Sequence, residues 1–269
     1  MNPKLSIIIL NWNSKNDLDK CMASICKNTK LKEKEIIVID NYSDDSSVEF
    51  IKNNYPNVVL IKNKKNRGVG PARNQGMKIA KGEFILILDV DTEVKFHAID
   101  NLIKMMENNP RIGLSGAKLI YPDGKLQYSC REFPNILSKF IFRRLPIKLF
   151  SEFLRKEEYR DWDHNSPKYV GYVIGACQLI RKKAMESVGL YDERIFYGPE
   201  DVDYCLRMWQ KGWMVLYDPS AVIIHKEARI TNGFLSQIKN YIFWKHIEGL
   251  IIYFLKHKYL FNPPKINKD

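Results

Sequence analysis

Asp89-Val90-Asp91 stands directly after the apolar run at 84–88. In an extended segment, residues two apart point the same way, so both carboxylates can face one cleft. Two carboxylates held close repel unless one keeps its proton or a cation lies between them. A hard divalent ion such as Mg²⁺ or Mn²⁺ resolves that conflict and could also hold a diphosphate. An isolated D-x-D is most often a solvated turn, but its place at the end of a buried-looking strand favours chemistry. Glu200-Asp201-Val202-Asp203 is a second acidic cluster, opened by Pro199. Acids in a first helical turn complement the helix dipole. Three within four residues exceed what capping requires. Val202, Cys205, Leu206 and Trp209 form an apolar face, with Glu200, Asp203 and Arg207 roughly opposite and Asp201 on the flank. Asp203 and Arg207 are spaced for an i,i+4 ion pair. From the flank Asp201 could look along a cleft wall, and a general base for a hydroxyl proton would suit this cluster. His225 ends the apolar run 221–224. Such a histidine is commonly a hydrogen-bonded surface residue, yet beside two carboxylates it would complete a mixed oxygen/nitrogen metal site.

A glycine turn, Asn66-Arg67-Gly68-Val69-Gly70, leads into a helical stretch that contains Arg73 and Asn74. Glycine turns at helix starts expose backbone N–H groups that suit phosphates. The turn does not match G-x-G-x-x-G and follows the third strand-like run, which disfavours a nicotinamide or flavin site. A Walker A sequence is also missing.

These groups need elements to position them. Residues 5–10, 36–39, 58–61 and 84–88 are short Ile/Leu/Val-rich runs, read as strands. Residues 14–26, 44–53 and 69–81 read as the intervening helices, the first with a Ser14/Asp17 capping-box pattern. The alternation predicts an α/β fold whose mostly parallel sheet carries helices on both faces. Such sheets bind ligands beyond the carboxyl ends of their strands. Those ends carry Asn11, then Asp40 and Asn41, then Asp89 and Asp91. Further on, a helix is expected at 97–108 and strands at 112–119, 126–130, 172–181 and 214–217. A helix is expected from 199 or 200 to 211, and one or two amphipathic helices within 234–260. The economical organisation is a catalytic domain over 1–230 with a basic, helical C-terminal extension over 231–269.

Charge and cysteine usage narrow the setting. Lys and Arg number 43 against 31 Asp and Glu, a net charge of +12 that favours polyanions. Nucleic acid, anionic lipid and phosphorylated small molecules all qualify. Cys21, Cys26, Cys130, Cys177 and Cys205 are odd in number, show no C-x-x-C spacing and sit in apolar stretches. Reduced, buried thiols in a cytoplasmic protein are expected, not a disulfide framework or a zinc site. No signal-peptide pattern opens the sequence, and no run approaches the ~18 apolar residues of a membrane span. The aromatic and basic stretches 140–150 and 243–259 suit two settings equally. One is the inner face of the cytoplasmic membrane, and the other is a helix docked with its basic face solvated.

Taken together, the segments around Asn11 and Asn13, Asp40 and Asn41, 66–74 and Asp89-Val90-Asp91 resemble the family-2 inverting glycosyltransferases with a GT-A fold. A longer stretch from Gly175-Ala176-Cys177 through Tyr191-Asp192-Glu193 and Glu200-Asp201-Val202-Asp203 to His225 extends the resemblance. This later block is most similar to bacterial rhamnosyltransferases of surface-polysaccharide assembly. The resemblance implies that Asp40 binds the nucleotide base, in a pocket shaped by Asn11, Asn13 and Asn41. It puts Asn66, Gly68, Arg73 and Asn74 on the nucleotide side, and Asp89 on ribose or metal. Asp91 and His225 are implied as metal ligands, Asp201 as catalytic base, and Glu200 as its orienting or acceptor-binding neighbour. Gly175, Ala176 and Cys177 would border the sugar pocket. Mn²⁺ or Mg²⁺ and a UDP-, dTDP- or GDP-linked sugar are the implied cofactor and donor. A glycan or polyprenyl-diphosphate-linked molecule is the implied acceptor. Processive members carry Gln-x-x-Arg-Trp, whereas this chain has Gln210-Lys211-Gly212-Trp213, so one sugar per event is expected.

Two rivals follow from the same features. A sugar-phosphate nucleotidyltransferase also joins such a sheet to metal-binding acids, but normally has a glycine-rich loop after its first strand. Here that loop is Asn11-Trp12-Asn13-Ser14-Lys15. A nucleic-acid-binding module would use the positive charge, but the acids at the strand ends would repel phosphates without a metal, and no recognised motif appears.

Overall fold

The computed structural model describes residues 2–138, 148–227 and 241–266, with side chains from 151 onward in the second stretch. In chain order the first half comprises β1 (Leu5–Asn11), α1 (Lys15–Asn28), β2 (Lys34–Asp40), α2 (Ser47–Asn54), β3 (Val59–Lys62), α3 (Val69–Ile79), β4 (Phe84–Asp89), β5 (Thr92–Val94) and α4 (Ala98–Asn108). The second comprises β6 (Ile112–Ile120), β7 (Leu126–Gln127), β8 (Cys130–Arg131), α5 (Lys148–Glu157), β9 (Lys168–Tyr169), β10 (Tyr172–Val173), β11 (Cys177–Arg181), α6 (Lys182–Val188), α7 (Glu200–Gln210), β12 (Met214–His225) and α8 (Tyr241–His257).

The main sheet runs β3-β2-β1-β4-β11-β6-β12-β5. β1 pairs in parallel with β2 and β4, and β2 with β3. β11 then enters antiparallel between β4 and β6, and β6 is parallel to β12. Alternation along the strands feeds two cores. Ile8, Ile85 and Ile87 face a layer with Ala72, Met77, Val202, Leu206, Leu250 and Phe254. Ile7, Ile9, Leu86 and Leu88 face the layer of Leu18, Met22, Ile25, Leu102 and Met106. Helices α3, α7 and α8 therefore cover one face, and α1 and α4 the other. The strand ends at Asn11, Asp40 and Asp89 open on one rim.

The details differ from the expected elements for local reasons. The Ser14/Asp17 capping box does not form, because Asp45 Oδ2 accepts from Lys15 N (2.8 Å), Ser14 turns back to Trp12 O, and Asp17 meets Lys226. The stretch at 172–181 splits into β10 and β11, which belong to different sheets. The stretch at 126–130 splits likewise into β7 and β8. Conversely, β12 is continuous through Pro219, because the register shift between Asp218 and Val222 accommodates the missing N–H.

Helix α7 has no solvated acidic face. Asp203 is fully buried, since α8 lies across it and supplies Lys256 and His257. Its expected pair with Arg207 forms at 2.8 Å. Cys26 is exposed, contrary to the expectation of buried thiols, while the other four cysteines are buried and free. Of the aromatic and basic stretch at 140–150, residues 140–147 lie outside the described residues, as do 234–240 of the tail.

Candidate active site

The rim opens into a cleft of about 300 Å³ lined by Trp12, Asn41, Asn66, Gly68, Asp89, Asp91, Tyr197 and His225, among others. That volume is at the low end for small-molecule sites. At one end, buried Asp40 accepts from Asn11 Nδ2 (3.1 Å) through Oδ1 and from Ser43 N (3.1 Å) through Oδ2. Asn41 donates to Asn66 Oδ1 (2.9 Å) and Gly68 O (3.2 Å), and accepts from Asn63 Nδ2 and Arg67 N. These bonds lock the turn between β3 and α3 onto the end of β2. Gly68 has φ +85°, and a Cβ there would lie 2.5 Å from Phe196 O, so only glycine fits.

At the other end, single ligand atoms of Asp89, Asp91 and His225 all lie within 4.8 Å of one another. The two acids leave β4 in a turn braced by Thr92 Oγ1, which donates to Asp89 O (2.7 Å). β5, just after that turn, pairs Thr92 with His225 at the end of β12, and this pairing delivers the imidazole. His225 Nε2 is 3.4 Å from Asp91 Oδ1, and Nδ1 is 2.7 Å from Gln127 Oε1. Burial works against a charge on His225, but Asp91, with Asp89 and Glu227 nearby, raises it above the ordinary histidine value. A proton there does what a cation would do, neutralising converging acceptors. Two carboxylates and one imidazole nitrogen suit Mn²⁺ or Mg²⁺ with open positions left over.

Arg73, which is 2% exposed, joins the two halves of the site. It donates to Asp89 Oδ1 (2.5 Å), Glu200 Oε1 (3.1 Å) and Gly175 O (3.0 Å). Gly175 N in turn donates to Asp201 Oδ2 (3.0 Å), and Asp201 Oδ1 accepts from Val202 N (2.8 Å). Both oxygens of Asp201 are thereby oriented by backbone. Burial, then the charge of Asp201, pushes Glu200 up to about 7 against the opposing pull of Arg73.

The remaining sequence-selected residues fall elsewhere. Asn13 is exposed and accepts from Asp44 N (2.9 Å). Asn74 is buried with both ends of its amide on the Tyr191 backbone, at 3.0 Å each. Ala176 O accepts from Asp89 N (3.0 Å), and Cys177 is a core residue whose thiol burial pushes up to about 12. Asn74, Ala176 and Cys177 therefore support the cleft from behind. Sequence reasoning missed Gln127 and Tyr197, and it put Arg73 on the nucleotide alone. Tyr197 carried no pattern. A lone arginine inside a helix otherwise destined for the core was the available signal for the bridge.

The family model for glycosyl transferase family 2 matches residues 6–189. The chain is 28% identical over 246 residues to the N-acetylglucosaminyl-diphospho-decaprenol L-rhamnosyltransferase of Mycobacterium tuberculosis, spanning 86% of this chain and 78% of that protein. It is 35% identical over 164 residues to the poly(ribitol-phosphate) beta-glucosyltransferase of Bacillus spizizenii, spanning 57% of this chain and 26% of that protein. Among solved structures, the mannosyltransferase PcManGT from Pyrobaculum calidifontis, in complex with GDP-Man and Mn²⁺, superposes with a TM-score of 0.65 at 17% identity, over 99% of this chain and 66% of that one. GalNAc-T7 with UDP, GalNAc and Mn²⁺ gives a TM-score of 0.63 at 22% identity, over 83% of this chain and 44% of that one. The chain spans less than two thirds of both solved chains, and at these identities the likeness carries the fold. The nucleotidyltransferase and nucleic-acid readings are not favoured beside these matches. Rim, carboxylates and relatives agree, and the chain belongs to glycosyl transferase family 2 as a sugar-transferring enzyme of GT-A fold.

Proposed function

We propose that this glycosyltransferase moves one sugar, with inversion, from a UDP-, dTDP- or GDP-linked donor to a hydroxyl of a polyprenyl-diphosphate-linked glycan in surface-polysaccharide assembly. The name of the mycobacterial relative supports such an acceptor, and rhamnose as one donor sugar. The observation that carries the reading is that Arg73 ties the Asp89, Asp91 and His225 cluster to the Glu200-Asp201 start of α7 across one wall.

In this reading Asp40, with Asn11, Asn13 and Asn41, receives the base, and Asn66 and Gly68 border the nucleotide, with Asn74 behind. Asp91 and His225, with Asp89 beside them, hold a divalent ion. Bound there, the ion would offset charge growing on the departing diphosphate. Asp201, aimed by the amides of Gly175 and Val202, takes the acceptor hydroxyl proton as that oxygen bonds to the anomeric carbon. The bond from that carbon to the diphosphate oxygen breaks on the opposite side. Glu200 positions the acceptor beside Asp201, and Gly175, Ala176 and Cys177 back the sugar. The catalytic unit is taken as residues 1–230 and the extension as 231–269.

No described helix is long and apolar enough to cross a membrane. Helix α8 nonetheless keeps Tyr241, Trp244, Ile251 and Leu255 exposed along one stripe, while Leu250, Tyr253 and Phe254 face the core. This stripe, flanked by lysines, is proposed to rest on the inner, anionic leaflet of the cytoplasmic membrane. Absence of flotation with anionic liposomes at low salt would remove that part.

The central test pairs binding with turnover. One of UDP, dTDP and GDP should raise the melting temperature, and only with Mn²⁺ or Mg²⁺ present. Asp201→Asn should keep that stabilisation and lose transfer, measured as free nucleoside diphosphate released with the acceptor. Full turnover in Asp201→Asn would end the assignment of the base.

A further inference from the structure

We infer that Gln127, held by Glu227 and Tyr121, is a positioning residue that fixes the tautomer of His225 and points its free Nε2 lone pair at Asp91. The inference rests on the reading of Asp89, Asp91 and His225 as the cation site.

The arrangement follows from a hairpin. β6 and β7 pair antiparallel, with Leu119 opposite Gln127, around a Pro122-Asp123-Gly124 turn in which Gly124 has φ +85°. β6 is also the parallel neighbour of β12, so the hairpin sets Tyr121 and Gln127 beside the end of β12, where His225 and Glu227 emerge. Gln127 is 4% exposed and its side chain is engaged at both ends. Its Nε2 donates to Glu227 Oε2 (3.0 Å), which also accepts from Tyr121 Oη (2.7 Å). A carboxylate oxygen accepts, so the amide nitrogen must face Glu227 and the amide oxygen must face His225. That oxygen lies 2.7 Å from His225 Nδ1 and can only accept. The proton of a neutral His225 is therefore on Nδ1. In that neutral form Nε2, 3.4 Å from Asp91 Oδ1, carries the lone pair and faces the carboxylates. Lone pairs facing one another repel, and a cation between them turns that repulsion into coordination. Outer partners of this kind orient a metal-binding imidazole and raise its basicity.

The test reads tautomer and metal separately. In ¹⁵N-labelled, metal-free protein at alkaline pH, long-range ¹H–¹⁵N spectra report which ring nitrogen is protonated, with the His225 signals identified by their loss in His225→Asn. Wild type should show Nδ1–H. Gln127→Leu should show a mixture or Nε2–H, and should bind Mn²⁺ alone about 10–100-fold more weakly by electron paramagnetic resonance. Gln127→Glu keeps an oxygen facing Nδ1 and should retain the tautomer. Tyr121→Phe removes one hydroxyl at the far end and should weaken Mn²⁺ less, which guards against a Gln127 variant that fails to fold. Nε2–H in wild type would overturn the inference. So would Nδ1–H with unchanged Mn²⁺ affinity in Gln127→Leu. If Asp91→Asn binds Mn²⁺ as wild type does, the cation reading itself fails, whatever the tautomer.

Discussion

Replacing Arg73 by Met should be among the most damaging single changes in this chain, and the damage should depend on pH in a particular direction. The guanidinium is almost fully buried and is hydrogen-bonded to the side chains of Asp89 and Glu200 and to the carbonyl of Gly175. Methionine fills much of the volume but leaves two carboxyls without their cation and one carbonyl without a donor. Removing one partner of a buried ion pair costs about 3–5 kcal/mol. A lost donor adds on the order of 1 kcal/mol. Against a total stability of roughly 5–15 kcal/mol, that is a large fraction. The melting temperature should fall by roughly 8–24 °C. Burial, then Asp201, already push Glu200 up to about 7 while Arg73 pulls it down, so without Arg73 its value must rise further. A carboxyl whose folded value is raised is at ease at low pH and costs stability as pH rises through that value. The deficit of Arg73→Met relative to wild type should thus be smallest near about pH 5.5 and largest near about pH 8.5, changing by up to roughly 1.4 kcal/mol per pH unit for each proton involved. Urea unfolding followed by circular dichroism at both pH values measures it. Arg73→Lys should fall between, since an ammonium keeps the charge but lacks the planar fork that reaches three oxygens. A deficit below about 1 kcal/mol at the alkaline end, or one that grows on acidification, would refute the reasoning.

Other expectations concern packing and the α7–α8 contact. A Cβ on Gly249 would stand 2.2 Å from Gly198 O, so Gly249→Ala should cost about 1–3 kcal/mol. It should also lower kcat more than the donor KM, as the start of α7 moves; steady-state kinetics with thermal melts decide it. Gly68→Ala, at φ +85° and against Phe196, should lower stability by about 1–3 kcal/mol and weaken nucleoside-diphosphate binding in titration calorimetry. Burial works against the charge of Asp203, but His257, Arg207 and Lys256 outweigh it and hold it below its ordinary 3.8. Stability from a lowered carboxylate is present above that ordinary value and disappears as pH falls through the folded one. The advantage of wild type over Asp203→Asn in thermal melts should therefore persist at neutral pH and vanish in strong acid. An advantage that survives there would contradict it.

Much of the first half was legible because its strands are short apolar runs and its rim residues follow them directly. Asn11, Asp40, Asp89 and Asp91 could be placed at carboxyl ends by pattern alone. The neighbours of β11 could not, since its insertion between β4 and β6 joins segments distant in sequence, which no local periodicity encodes. His225 was a candidate by type, yet only the pairing of β5 with β12 brings it to Asp91. Asp203 was legible only as the partner of Arg207, for a similar reason. Helical periodicity put it opposite the apolar face, and nothing near it announced that α8 would cover that side with Lys256 and His257. Gln127 had no signal at all, because a buried glutamine matters through its two neighbours and neither is adjacent in the chain.

The reach of Arg73 limits how this enzyme could be re-engineered. Its guanidinium gathers oxygens from positions 89, 175 and 200, so the end of β4 and the start of α7 share one fastening. A chimera that kept the first hundred residues and borrowed the rest from a relative would inherit half of that fastening. Swaps meant to change the acceptor should therefore carry the arginine, the glycine carbonyl and the glutamate as a single cassette.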